Sequence, residues 1–157
     1  MRGTKYPRAK LLYIAKDANR EAARLGIPYG RISDSVGAGV ERAMAVFYYA
    51  FKQKKTRDYL WALGQATFAK GIDVATDEGM QIVAQKSGLF WPDVAEAMKD
   101  ETWRQHDEKN RADLYEYGLW GVPSFRIGDV AVWGQDRHWL LTRKIEDLCA
   151  GGEGIVE

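Results

Sequence analysis

The apolar residues of this chain repeat every three or four positions over most of its length, which predicts a mainly helical fold. Near the start, Leu11, Ile14 and Ala18 lie on one face of a helix predicted from Pro7 to a stop at Gly26. The same face contains Ala15, Ala22 and Leu25. With 157 residues the chain is long enough to bury a core.

Five more helices are predicted before the period changes. The second follows a polar loop that includes Gly30 and Gly39, Thr56 is the predicted cap of the third, and Thr76 begins the fourth. Pro92 opens a short fifth helix, and a charged sixth helix is predicted over residues 100–117. The predicted inward residues of helices two to four are Val40, Met44, Phe47, Tyr48, Phe51; Leu60, Leu63, Gly64, Thr67, Phe68, Gly71; and Met80, Val83, Ala84.

One β-hairpin is predicted near the end of the chain. Residues 124–127 alternate in polarity, which predicts a first strand. Gly128 and Asp129 form a turn pair, and residues 130–133 are predicted as the second strand. Asp136 is the predicted cap of a last helix. The inner face of that helix is predicted to contain Leu141, Ile145, Leu148 and Cys149. An isolated hairpin is only marginally stable, so it needs covering helices or partner strands, and absent strands are the favoured explanation.

Charge and cysteine content exclude several classes of function. Lys and Arg together number 23 against 22 for Asp and Glu, so no strong electrostatic attraction to nucleic acid or to anionic membrane is expected. Cys149 is the single cysteine, which excludes dithiol exchange and favours a reducing cytoplasm. No window approaches the roughly 20 apolar residues of a membrane span, and no secretion signal is evident.

Two short motifs flank the hairpin and carry a family resemblance. Gly-Val-Pro-Ser-Phe at 121–125, followed by Trp-Gly-Gln-Asp-Arg at 133–137, resembles 2-hydroxychromene-2-carboxylate isomerases and the related kappa-class glutathione transferases. Residues 5–28 are similar to the first helix of that family's helical insertion, and residues 66–73 to its third helix. The resemblance therefore covers nearly the whole chain.

The resemblance implies a DsbA-like thioredoxin fold interrupted by a helical insertion, with residues 1–117 as the insertion and 118–157 as the C-terminal part of the thioredoxin-like domain. It also implies a cis Pro123, a backbone edge at Val122 that pairs with glutathione, and a homodimer. Asp136 would bind the ammonium group of glutathione, the start of the last helix would bind its carboxylate, and Arg137 would add charge-assisted bonds. The residues implied in glutathione binding are Val122, Pro123, Trp133, Gly134, Gln135, Asp136 and Arg137.

The implied reaction is glutathione-dependent isomerisation of an aromatic 2-oxo acid or another hydrophobic electrophile, by thiol addition, bond rotation and elimination. The family's opening strand-helix-strand, with the Ser that activates the glutathione sulfur, has no match here, so no catalytic residue is assigned and catalysis by this chain stays open. Lys5 and Arg8 are the weak candidates for the substrate carboxylate. Ser33 and Ser35 lie in a polar loop where hydroxyls suit turns.

Simpler roles remain open for the same residues. Asp136 also suits a helix cap, Trp133 also suits packing, and Pro123 also suits an ordinary turn. His106 and His138 suit a solvated surface. An alternative for the whole chain is a non-catalytic glutathione-binding or self-associating module, because an exposed hairpin edge favours pairing with another chain.

Overall fold

The computed structural model describes residues 7–33 and 37–151, which form seven α-helices and one antiparallel hairpin. The mainly helical prediction is confirmed. In order, the elements are α1 (Arg8–Leu25), α2 (Ala38–Lys52), α3 (Thr56–Phe68), α4 (Asp77–Lys86), α5 (Trp91–Ala97), α6 (Trp103–Glu116), β1 (Ser124–Ile127), β2 (Val130–Trp133) and α7 (His138–Cys149). Across the described residues, no helix combines the length and the apolar character that spanning a bilayer requires.

The chain forms two compact units, Met1–Trp103 and Arg104–Glu157, which divide in the first turn of α6. We call them the helical unit and the hairpin unit. The boundary implied by the family resemblance, between residues 117 and 118, follows the end of the same helix. Each unit has its own buried apolar residues.

Four helices of the helical unit close into a ring around its core. Helix α3 packs on α2 and α4, and α5 packs on the same two helices from the other side. The core residues are Val46, Ala50, Tyr59, Ala66, Val74, Met80, Val83, Ala84, Leu89 and Val94. Each buried aliphatic side chain contributes roughly 1.5–3 kcal/mol of transfer free energy, so this ring holds the unit together.

The buried faces of α2 and α3 differ from the predicted ones, whereas α4 buries Met80, Val83 and Ala84 as predicted. Alanines at 45, 50 and 66 are buried, Phe47 and Leu63 pack against the core as predicted, and four of the larger residues predicted to point inward are exposed. Those exposed residues are Val40, Phe51, Leu60 and Phe68. The physical reason is packing between neighbouring helices, whose facing surfaces admit Tyr59 together with small residues such as Ala50 and leave the other apolar residues at the rim.

Helix α1 shows the same departure from prediction. Ala22 is its buried residue, whereas Leu11, Ile14 and Leu25 are each about half exposed. Gly26 ends the helix in the left-handed conformation, as the sequence predicts. The periodicity therefore located the helix correctly and assigned too many of its residues to the core.

The start of α4 is built as predicted, and the start of α3 is not. The Thr76 hydroxyl accepts a hydrogen bond from the Gly79 amide at 3.0 Å. Gly79 is required there, since a Cβ atom would lie 2.0 Å from the Asp73 carbonyl oxygen. Thr56 is the first residue of α3 rather than its cap, and Lys55 occupies the cap position without a side-chain hydrogen bond.

The hairpin unit is organised by the pairing of β1 with β2. Ser124 lies opposite Trp133 and Ile127 opposite Val130, as the alternation predicts. Helix α7 packs on β1, and Val132 and Leu141 are buried in this unit. The Lys144 ammonium lies 2.7 Å from an Asp129 carboxylate oxygen, and this hydrogen bond holds the pKa of Asp129 below its ordinary value.

The later part of α7 is exposed, which corrects the predicted inner face. Ile145 and Leu148 are about half exposed, and the Cys149 thiol is exposed rather than part of a core. A four-residue strand spans about 13 Å, whereas a twelve-residue helix spans about 18 Å. The hairpin is therefore too short to cover the last turns of the helix.

We predict that Tyr59→Phe lowers the free energy of unfolding by about 1–2 kcal/mol, because the variant loses the hydrogen bond that the fully buried Tyr59 donates to the Ala43 carbonyl at 2.8 Å. Burial raises the pKa of Tyr59 above its ordinary value of 10.0. The folded state thus keeps this proton better than the unfolded state, and the hydroxyl's stabilisation is complete below pH 10 and decreases above it. The measurement is urea unfolding from pH 7 to pH 11.

Tyr49→Phe is the matched control, because its hydroxyl donates to the exposed Asp93 carboxylate at 3.0 Å on the surface of the same unit. We expect a smaller loss for this control, about 0.5 kcal/mol. Equal losses in both variants, or a difference between wild type and Tyr59→Phe that grows above pH 10, would contradict the assignment.

Candidate functional site

The backbone of Val122, two residues before β1, is exposed and unpaired. The Val122–Pro123 peptide bond is cis, as the family resemblance implies. Val122 is 86% exposed, and within the described part of the chain neither its amide nor its carbonyl has a hydrogen-bond partner. The Ser124 hydroxyl donates a hydrogen bond to the Gly121 carbonyl, and this bond fixes the turn that contains Val122. The result is a free backbone donor and acceptor held at a defined place.

The hairpin brings the second predicted motif next to this edge. The Gly134 amide donates to the Pro123 carbonyl at 2.9 Å, directly beyond the pair formed by Ser124 and Trp133. The two segments are separated in sequence by the whole hairpin and adjoin in space. Most of the residues predicted to bind glutathione are therefore gathered at one end of the hairpin.

Gly134 allows the Asp136 carboxylate to lie against the backbone. Its φ is 98°, and a Cβ atom there would lie 2.6 Å from Asp136 Oδ1. Asp136 forms an ion pair with the neighbouring Arg137 guanidinium, and both side chains are more than half exposed. Glycine is thus needed at position 134 for both conformation and space.

The predicted capping role of Asp136 is wrong. Asp136 lies in a short 3-10 turn, Gln135–Arg137, and α7 begins after it at His138. Arg137 occupies the cap position of α7 without a side-chain hydrogen bond to the helix. The carboxylate bonds Arg137 instead, and the amides of the first helical turn have no side-chain cap.

Two tryptophans form an exposed aromatic pair beside the Val122 edge. The Trp120 and Trp133 rings lie 5.6 Å apart at an interplanar angle of 36°. A Cβ atom on Gly121 would lie 2.9 Å from Trp133 Nε1, so glycine is what lets the indole approach the turn. Trp133 was predicted from the sequence as a site residue, and Trp120 was not. The position of Trp120 directly before the Gly-Val-Pro motif could have indicated its place beside the site.

A contact between aromatic rings holds the start of α7 against the hairpin. The Phe125 and His138 rings meet edge to face, with centroids 5.3 Å apart. This places the first residue of α7 beside β1, close to the turn that contains Asp136 and Arg137. His138 is exposed, as the sequence predicts, and its ring also packs against Phe125.

The remaining predicted residues are less informative. Gln135 is exposed at the start of the 3-10 turn, and Arg8 is exposed at the first position of α1. Lys5 and Ser35 lie outside the described residues. Ser33 belongs to the loop after α1, where its amide donates to the Thr67 carbonyl at 2.8 Å, so it has a structural role in the helical unit.

Residues 2–146 match the family model of the DsbA-like thioredoxin domain, which includes both units and both motifs. The chain belongs to the DsbA-like thioredoxin domain family. This membership agrees with the cis proline and with a hairpin followed by a helix, features that the resemblance placed in the thioredoxin-like part.

This DsbA-like chain is similar to a 2-hydroxychromene-2-carboxylate isomerase of Pseudomonas putida. The two are 26% identical over 145 residues, which cover 90% of this chain and 68% of the relative. A solved structure of a 2-hydroxychromene-2-carboxylate isomerase matches with a TM-score of 0.75 at 22% identity, again over 90% of this chain and 68% of the other. The structural match establishes the fold.

We predict that Gly121→Ala displaces the Trp133 indole and separates the two rings, because the new methyl group lies too close to Trp133 Nε1. The near-ultraviolet circular dichroism of the Trp120–Trp133 pair should decrease while the helical signal in the far ultraviolet stays unchanged. Gly64→Ala is the control, since a Cβ atom in the middle of α3 meets nothing within 4 Å. An unchanged near-ultraviolet spectrum in Gly121→Ala would contradict this role of Gly121.

Proposed function

We propose that this chain binds glutathione at the Val122 edge and acts as a glutathione-dependent isomerase of the 2-hydroxychromene-2-carboxylate isomerase type. The observation that carries the proposal is the exposed, unpaired backbone of Val122, joined through the hairpin to Asp136 and Arg137. The similarity to an isomerase of Pseudomonas putida supports the reaction class.

The Val122 backbone suits a peptide-like ligand. Its free amide and carbonyl can form the two hydrogen bonds that an added strand forms with a sheet edge. The cysteinyl residue of glutathione has the matching carbonyl and amide. Since the Val122 groups are already exposed and fixed by the adjoining turn, little ordering of the protein would accompany binding.

Asp136 and Arg137 suit the γ-glutamyl end of glutathione, which carries an ammonium group and a carboxylate on one carbon. The two side chains present one negative and one positive charge side by side. An exposed ion pair contributes roughly 0–1 kcal/mol, so exchanging it for bonds to a zwitterion costs little. The uncapped amides at the start of α7 would add donors for the ligand carboxylate.

When bound, glutathione supplies the thiol that adds to the substrate double bond and is later eliminated. The residues of this chain would hold its backbone at Val122 and its charged end at Asp136 and Arg137. The Trp120–Trp133 pair would offer a flat apolar surface beside Val122 to an aromatic 2-oxo acid. Arg8 and Lys5 remain proposed contacts for the carboxylate of that substrate, and sulfur activation is assigned to no described residue.

A second candidate is a non-catalytic glutathione-binding or self-associating module. It is favoured by the apolar side chains exposed on α1, where the consecutive residues Leu11, Leu12, Tyr13 and Ile14 are each roughly half exposed. Such a patch is typical of a protein interface. We propose a homodimer in either case, and a cytoplasmic setting because the single cysteine is free and exposed.

The proposal predicts that the chain isomerises 2-hydroxychromene-2-carboxylate only when glutathione is present. Asp136→Asn should raise the KM for glutathione about tenfold with little change in kcat, because it removes one charge-assisted bond to the γ-glutamyl end. The measurements are the absorbance change of the substrate and calorimetric titration with glutathione.

Asp147→Asn is the matched control, since it removes the same charge from an exposed position on α7. Glutathione binding without a rate increase would favour the non-catalytic module. An absence of both a calorimetric signal and a glutathione effect on the rate, together with a strictly monomeric species by light scattering, would refute the two candidates.

A further inference from the structure

A groove of about 190 Å³ lies between α3 and α4 on the surface of the helical unit. Its lining includes Trp61, Ile82 and Ile72 as large apolar side chains, with Gln65 and Lys70 among the polar ones. None of the residues predicted to bind glutathione lines it. The groove is therefore separate from the proposed glutathione site.

The two helices run in opposite directions, so the polar side chains separate to the two ends of the groove. A Cβ atom on Gly88, just after α4, would lie 3.2 Å from Nζ of Lys55, just before α3. Lys86, Asp58 and the Lys55 side chain therefore lie at one end, where the Asp58 carboxylate disfavours an anionic ligand. The other end has Gln65 and Lys70 and no acid in its lining, which makes it electropositive.

The backbone holds Lys70 in place at that electropositive end. Its amide donates to the Gln65 carbonyl at 3.1 Å, and Lys70 forms a parallel bridge with Arg31 from the loop after α1. Within the described residues, the Lys70 ammonium has no ion-pair partner. A cation attached to a fixed backbone, with an amide side chain as neighbour, is suited to a carboxylate.

The middle of the groove is suited to a flat ring. Trp61 is 55% exposed, so one face of its indole is accessible, and Ile82 lines the groove from the facing helix. Aromatic rings stack favourably on an exposed indole face. Trp61 and Gln65 are four residues apart on α3, which places the ring-binding and carboxylate-binding groups on the same side of the helix.

We propose that this groove is a binding site for a small aromatic monocarboxylate, with the ring on Trp61 and the carboxylate at Lys70 and Gln65. The volume is below the roughly 300–1,000 Å³ of sites for drug-sized ligands, so the ligand has a single ring. The site is independent of the proposed glutathione site, and it takes its ligand whether or not glutathione binds.

The test is titration of the full chain with benzoate, followed by NMR of the tryptophan indole N–H groups. Trp61→Phe identifies the Trp61 signal. Benzoate should shift that signal to saturation, and Lys70→Gln should weaken binding about fivefold, as expected for a partly exposed charge pair. Lys16→Gln, which changes an exposed lysine on α1, should leave the affinity unchanged.

Two further ligands separate the contributions of the ring and the carboxylate. Benzamide, which keeps the ring and lacks the charge, should bind as weakly to wild type as benzoate binds to Lys70→Gln. Acetate should not shift the Trp61 signal. A Trp61 signal that ignores benzoate, or equal benzoate affinities in the Lys70→Gln and Lys16→Gln variants, would overturn the proposal.

Discussion

The candidate site depends on the backbone pairing of β1 with β2. That pairing joins the Val122–Pro123 segment, which leads into one strand, to the Gly134–Arg137 segment, which leaves the other. The hydrogen bond from the Gly134 amide to the Pro123 carbonyl extends the pairing past the last strand residues. If one strand slipped by one residue, every side chain of that strand would change face. The pairing thus sets which groups meet at the end of the hairpin.

Three contacts hold the hairpin in its own unit. Lys144 in the middle of α7 binds Asp129 in the turn, and Phe125 of β1 packs against His138 at the start of the same helix. On the opposite strand face, the Arg126 guanidinium lies over the Tyr117 ring, with 3.9 Å between its central carbon and the ring centroid. A two-stranded sheet alone is marginally stable, so these contacts stabilise the geometry that the site requires.

Much of this arrangement could be predicted from the sequence, and the successes share a cause. Helix positions follow from local periodicity and from stop residues such as Gly26, and the hairpin follows from its alternation around Gly128 and Asp129. The cis bond at Pro123 and the family followed from motifs of a few residues. Each of these features is determined by neighbours in the chain.

Most of the features that the sequence did not predict depend on residues that are distant in the chain. Periodicity gave large residues such as Phe51 and Leu60 to the core, whereas packing between helices selected Ala50 and Tyr59. The bond between Asp136 and Arg137, which replaced a helix cap, depends on the exact end of the 3-10 turn. The groove beside Trp61 was not predicted, because its lining combines residues of two antiparallel helices.

The central claim is that the Val122 backbone receives glutathione as a strand edge receives another strand. The most direct measurement is a titration of isotopically labelled protein with glutathione, followed through backbone amide NMR signals. Glutathione should shift the signals of the Val122 and Arg137 amides together with one dissociation constant, whereas the signals of the α3 amides should not move. Saturable glutathione binding that leaves the Val122 amide unchanged would contradict it.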